Sequence, residues 1–224
     1  MHSYDLACNV SPDGQWLLDY HGEDHPDARC PECVERPLDR RGYSYLLGLY
    51  LGDGHIKKRT MNLACCNDYP GLMDDAEQAL KIVLPFATTS RWQRRSWTEV
   101  VSYSHHWTCL FPQHGPGRKH TRRVELTGWQ SAIVEDFPQE FVRGLIHSDG
   151  CRSEYSVKKI VRGEPKSYRY TRYSFSNRSE DIHGLYQWSL DLIGVEWIRA
   201  SFKHTDVNKR ASVARLDAFV GPKY

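Results

Sequence analysis

An apolar decapeptide ending in Asp-Gly occurs twice in this chain. The first copy is Tyr45-Leu46-Leu47-Gly48-Leu49-Tyr50-Leu51-Gly52-Asp53-Gly54; the second, 96 positions later, is Phe141-Val142-Arg143-Gly144-Leu145-Ile146-His147-Ser148-Asp149-Gly150. Gly48 aligns with Gly144, Asp53 with Asp149 and Gly54 with Gly150. An internal repeat of this kind constrains a fold more than any single motif. Ten residues suit a short buried helix and are too few to span a membrane.

Gly48 and Gly52 share one helix face at i and i+4, and Gly144 and Ser148 repeat the pattern. A glycine inside a helix costs about 1 kcal/mol relative to alanine. Close approach of two helix backbones is a physical reason to accept that cost twice. If the two copies pack in parallel about a two-fold axis, Asp53 and Asp149 come together at adjoining C-terminal ends. Two carboxylates at the negative ends of two helix dipoles repel each other. A divalent cation between them removes the conflict. Oxygen ligands with room for water and phosphate suit Mg²⁺, and paired metals serve phosphodiester displacement. Taken singly, each copy also reads as a helix closed by Asp and Gly; two copies in register favour the paired arrangement.

The segments Leu46–Gly54 and Val142–Gly150 resemble the two signature helices of the single-chain LAGLIDADG homing endonucleases, and the likeness runs from about residue 43 to 224. Leu51 and His147 stand where the family has its first Asp, a position that is not a metal ligand. The resemblance implies an α/β (α+β) fold of two pseudo-symmetric αββαββα half-domains, their antiparallel sheets forming a DNA-binding saddle. It implies two or three Mg²⁺ ions at the Asp53/Asp149 interface, with Gly52 and Ser148 as neighbouring ligands. Near the end of each half a basic residue follows a Gly-Pro element: Lys119 after Gly115-Pro116-Gly117, and Lys223 after Gly221-Pro222. By the same resemblance these two lysines polarise the attacking water or steady the pentavalent phosphate.

Three regions are expected: an acidic N-terminal region 1–42, a first half-domain with linker helix 43–136, and a second half-domain 137–224. Overall charge is nearly balanced, at 30 basic and 28 acidic residues, but residues 1–42 hold 4 Lys/Arg against 9 Asp/Glu. The remainder is therefore basic, as a surface facing a polyanion would be. No signal peptide or run of 18 apolar residues is evident, so a cytoplasmic monomer without a membrane partner is expected. Seven cysteines, Cys65 and Cys66 adjacent, fit a reducing compartment better than a disulfide framework. Cys30-Pro31-Glu32-Cys33 has zinc-knuckle spacing, and Cys8, His21 or His25 could complete a structural Zn²⁺ site; the plain alternative is a loop with two thiols.

Within the halves, hydrophobic periodicity places helices over 43–53, 70–84, 107–111, 121–137 and 179–193. Strands are expected over 60–66, 90–94, 97–104, 151–161, 168–176, 196–204 and 211–214, with a basic loop over 162–166. Basic residues interleave with aromatics, as in Arg91-Trp92-Gln93-Arg94 and Arg169-Tyr170-Thr171-Arg172-Tyr173. A β-ribbon of this composition fits a major groove. The expected DNA-binding group is Lys57, Arg59, Arg91, Arg94, Arg95, Lys158, Lys159, Arg162, Arg169, Arg172, Lys203, Lys209 and Arg210. The expected function is a site-specific homing endonuclease that makes a metal-dependent break in a long, asymmetric double-stranded DNA target. A non-cleaving transcriptional regulator and an RNA maturase are the alternatives on the same scaffold.

Overall fold

The structure is a computed structural model that describes Cys33 and residues 35–223. Helix α1 (Arg40–Asp53) starts where the Asp39 carboxylate accepts a hydrogen bond from the Gly42 amide at 2.7 Å, satisfying one of the amides a helix start leaves open. The chain then runs β1 (Gly54–Lys57), β2 (Thr60–Cys66), α2 (Pro70–Val83), β3 (Thr88–Gln93), β4 (Trp97–Tyr103) and the short α3 (Trp107–Leu110). After α4 (Gly128–Asp136) the order repeats as α5 (Pro138–Asp149), β5 (Gly150–Val161), β6 (Glu164–Ser176), α6 (Glu180–Leu192), β7 (Ile198–Ser201), β8 (His204–Val207) and α7 (Arg210–Asp217). The sheets are antiparallel, ordered β1-β2-β4-β3 and β5-β6-β8-β7. The same αββαββα order therefore occurs twice.

The core forms where α1 and α5 cross, and Tyr43, Leu46, Leu47, Leu51, Phe141, Val142 and Leu145 are buried there. A methyl group placed on Gly48 would lie 2.5 Å from the Phe141 carbonyl oxygen; one on Gly144 would lie 2.2 Å from that of Tyr45. One on Gly52 would meet the Ser148 side chain. The contacts 48/144 and 52/148 advance together along both helices, so α1 and α5 run parallel and end side by side. His147, at one departure from the signature, is buried. Its Nε2–H donates to the Val220 carbonyl at 2.8 Å, leaving Nδ1, 2.9 Å from the Tyr45 hydroxyl, to accept. Burial pushes its pKa down to about 4, so the ring is neutral at physiological pH.

Gly54 and Gly150 serve a different purpose from a left-handed helix cap. Both are extended, with φ of −87° and −103°. A Cβ on Gly54 would lie 2.5 Å from the Tyr50 Cα, and one on Gly150 2.7 Å from the Ile146 Cα. The chain turns straight from helix to strand against the last helical turn, and only a residue without a side chain fits.

Four local expectations need correction. The helix expected over 121–137 occupies only Gly128–Asp136, because the Thr127/Gln130 capping box starts it there. The strand expected over 211–214 is part of α7, where Val213 and Leu216 are buried at helical spacing. The strand expected over 196–204 is instead two, β7 and β8. The basic loop expected over 162–166 is the two-residue turn Arg162-Gly163, both with positive φ (54° and 83°), and β6 begins already at Glu164.

Candidate functional site

The parallel crossing delivers Asp53 and Asp149 to the wall of one cavity of about 750 Å³. The Asp149 carboxyl feels the charge of Asp53. Asp149 Oδ2 accepts from the Asn177 amide at 2.6 Å. Burial first, and the Asp53 charge second, push the Asp149 pKa up to about 6; the Asn177 hydrogen bond and the charges of Lys119 and Lys223 oppose the rise. Asp53, which stays exposed to the cavity, is raised by partial desolvation against the same two lysines.

Lys119 and Lys223 occupy equivalent positions in the two halves. Lys119 Nζ donates to the carbonyls of Tyr50, Leu51 and Gly52, the last two at 3.0 Å. Lys223 Nζ donates to the carbonyls of Ser148, at 3.3 Å, and Gly150, at 2.5 Å. Each ammonium therefore covers the open carbonyls at the end of one signature helix, where a cation is favoured by the helix dipole. Burial drives the Lys119 pKa down to about 7 in spite of the Asp149 and Asp53 charges that raise it. Lys223 is lowered for the same reason.

The cavity wall includes residues that the sequence reading missed: His55, His114, Arg118, Arg122, Asn177 and Arg178. His55 lies one residue beyond Asp-Gly on β1, a strand too short to register as a periodic run. His114 is pushed down to about 4 by burial and by the Arg122 charge. Asn177 had one usable signal, its place at the end of the strand running back toward α5.

Strand register decides which basic residues face the cavity side. Residues directly opposite in an antiparallel pair share a face. Leu63 pairs with Val100 and Met61 with Ser102, and these side chains are buried on the helix-covered face. Lys57, Trp92, Trp97 and Tyr103 therefore point the other way, toward solvent. In the second sheet the buried Tyr173 and Phe175 mark the helix side, leaving Lys159, Tyr155, Tyr170 and Arg172 on the open face. There Tyr155 and Tyr170 stack at 5.6 Å, and the Arg172 guanidinium lies over Tyr155. Lys203 lines the cavity itself.

Not every basic residue expected on that face is found there. Arg91 pairs with Val100, hence lies on the helix side, where it is bound to Asp74 at 2.6 Å and Glu77 at 2.8 Å. Lys158 and Arg169 fall on the same side of the second sheet as Tyr173. Lys209 is paired with Glu196, and Arg210 opens α7. Arg94 is paired with Glu99 at 3.2 Å on the open face. Arg59 and Arg162 belong to the hairpin turns, and Arg95 to the turn between β3 and β4. Of the expected zinc ligands, Cys8, His21, His25 and Cys30 lie outside the described residues; Cys33 lies against α3.

No protein-family model and no curated protein matches the sequence. Solved structures do match. The crystal structure of the LAGLIDADG meganuclease I-AabMI bound to uncleaved DNA is 12% identical, with TM-score 0.51, over 79% of this chain and 82% of that one. Full-length WhiA from Thermotoga maritima is 12% identical, also with TM-score 0.51, over 85% of this chain and 59% of that one. This chain has the LAGLIDADG fold. I-DmoI in complex with DNA and Mn is 13% identical over 83% of this chain and all of that one, with TM-score 0.46. Among the described residues no helix is long and apolar enough to cross a membrane.

Proposed function

We propose that this LAGLIDADG chain is a metal-dependent, site-specific DNA endonuclease that cuts both strands of an asymmetric duplex target, one strand per half. A single observation supports the reading most. Two acidic groups from pseudo-symmetric helices converge in a solvent-open cavity, and each helix end is covered by a lysine from the end of its own half. A protein using the scaffold only to bind DNA has no need to crowd two like charges at one cavity wall, an unfavourable arrangement without a cation.

The donor set fits Mg²⁺: Asp53 and Asp149 would hold it, with the Gly52 and Ser148 carbonyl oxygens beside them retaining lone pairs for further ligation. When bound there, two or three such ions supply Lewis acidity toward the scissile phosphate and lower the pKa of water. Asn177 orients the Asp149 carboxylate. Lys119, with a pKa near neutrality, accepts or returns a proton at the cavity wall, and Lys223 offers positive charge from the second half. Lys57, Lys159 and Arg172 meet phosphates and base edges on the open faces, and Trp92, Trp97 and Tyr155 present aromatic surface beside them. The differing strand residues of the two halves call for an asymmetric site.

Incubation with a plasmid target library and Mg²⁺ tests the reading. Cleavage that is lost in Asp53→Asn and Asp149→Asn, with DNA binding kept, is the expected result. Sequence-specific duplex binding without nicking would place the chain among DNA-binding regulators. Preference for structured RNA over duplex would instead favour a maturase.

A further inference from the structure

A cluster away from the acidic pair joins the segment before α1 to the first half-domain. Cys33 Sγ lies 3.0 Å from His106 Nδ1, and the donor atoms of Cys33, His106 and Cys109 all fall within 4.8 Å of one another. Both thiols are buried, at 5% and 3% exposure, and the imidazole is half-buried. His106 immediately precedes α3 and Cys109 lies within it, so one turn of backbone presents both toward Cys33. The Phe86 and His106 rings meet in a T-shaped arrangement with centroids 6.2 Å apart, and the Arg36 guanidinium lies over the Phe86 ring.

We propose that Cys33, His106 and Cys109 hold a structural zinc ion that fastens the chain preceding α1 to α3. Two thiolates and an imidazole are the donors zinc prefers, and bonds of about 2.3 Å to sulfur and 2.0 Å to nitrogen bring ligand atoms roughly 3.5 Å apart. That spacing lies inside the observed cluster. A closed structural site takes four ligands. The sequence offers Cys30, whose two-residue separation from Cys33 lets one metal take both thiolates. Two of the four ligands therefore come from α3 and the residue before it, not from the N-terminal region alone. The consequence is mechanical. α3 carries Leu110, whose carbonyl accepts from the Tyr43 hydroxyl, and is followed by Phe111, which packs on Tyr50, so the ion would brace the underside of a signature helix. This inference is independent of the nuclease reading.

The test uses the full chain, purified under reducing conditions without chelator. About one zinc per chain by elemental analysis is expected, and Cys30→Ser, Cys33→Ser and Cys109→Ser each reduce it at least ten-fold. Cys8→Ser and His25→Ala leave it unchanged. Because a serine variant could lose zinc by failing to fold, His106→Cys provides a second readout. It retains zinc, and its cobalt(II) derivative gains thiolate-to-metal charge-transfer absorption over the wild type while keeping a tetrahedral ligand-field band. The proposal is overturned by zinc-free wild-type protein after loading, by zinc retained in Cys33→Ser and Cys109→Ser, by a native Cys33–Cys109 disulfide, or by an unchanged cobalt spectrum in His106→Cys.

Discussion

Gly48 and Gly144 meet backbone to backbone at the helix crossing: a methyl group on either would lie about as close to the other's Cα as 2.9 or 3.0 Å. It would also press on carbonyl oxygen and amide nitrogen, which cannot rotate aside. Everything at the cavity depends on this approach, since moving α1 from α5 separates Asp53 from Asp149.

Gly144→Ala is therefore expected to destabilise the protein by about 3 kcal/mol or more, as overpacking against a rigid backbone does. Gly184→Ala is the control. Gly184 lies inside α6 with nothing within 4 Å of its missing side chain, so alanine there is expected to add about 0.5–1 kcal/mol. Urea midpoints at unchanged slope measure both. A mild Gly144→Ala would contradict the tight crossing.

The pH dependence of the metal-free protein follows from the half-buried charges at the cavity. Asp149 is raised from 3.8 to about 6. Its protonated form is thus favoured on folding, and this contribution is present below pH 4 and lost as pH rises through 6. Lys119 is lowered from 10.5 to about 7. Its neutral form is favoured on folding, so its contribution is present above pH 10.5 and lost as pH falls through 7. Together the two groups are least favourable between about pH 6 and 7. Without divalent ions, Asp149→Asn is expected to melt higher than wild type at pH 7, with the difference closing at pH 4. Mg²⁺ should raise the wild-type midpoint and leave the variant's nearly unchanged. Calorimetry over pH 4–9 reads both effects.

What the sequence disclosed was the repeated element and its consequences. Gly48, Gly144, Asp53 and Asp149 carry their meaning in register, and Lys119 and Lys223 follow because each stands after a Gly-Pro element in its own half. Tertiary geometry hid the rest. Arg91 has the same local sequence context as a DNA-facing residue; its direction is fixed by pairing opposite Val100, a fact of register between distant strands. His106 and Cys109 meet Cys33 across 73 and 76 positions, which no local spacing rule can see. The start of α4 just after Thr127 was readable from the Thr127-x-x-Gln130 capping box and was masked by the apolar positions on either side.

The Asn177 side-chain amide donates to Asp149, and its own Oδ1 accepts from the Ser179 backbone amide at 2.8 Å. Asn177→Ala removes both. The Ser179 contact is lost equally at every pH, whereas the bond to a charged carboxylate matters only once Asp149 ionises. The destabilisation is therefore expected to grow by about 2 kcal/mol between pH 4 and pH 8, the typical worth of a hydrogen bond to a charged group. Denaturant unfolding of wild type and variant at the two pH values gives the number. A constant difference would mean that Asn177 braces only its own turn.

The two faces of the sheets give opposite expectations for neighbouring basic residues. Lys57 is exposed on the open face of the first sheet, and Lys159 on that of the second. Neutralising a phosphate releases condensed counterions, so the logarithm of affinity falls with the logarithm of salt in proportion to the contacts made. Lys57→Ala and Lys159→Ala are expected to weaken duplex binding evenly across sequences and to reduce that slope by about 1 each. Arg91→Ala removes as much charge but from a side chain held by Asp74 and Glu77 on the helix-covered face. It should leave the salt slope intact and cost a modest amount of stability instead, about 1 kcal/mol for a partly exposed ion-pair network. Fluorescence anisotropy on one duplex at several salt concentrations separates the two cases. An Arg91→Ala slope that falls as far as that of Lys57→Ala would show that the duplex reaches the face assigned to the helices.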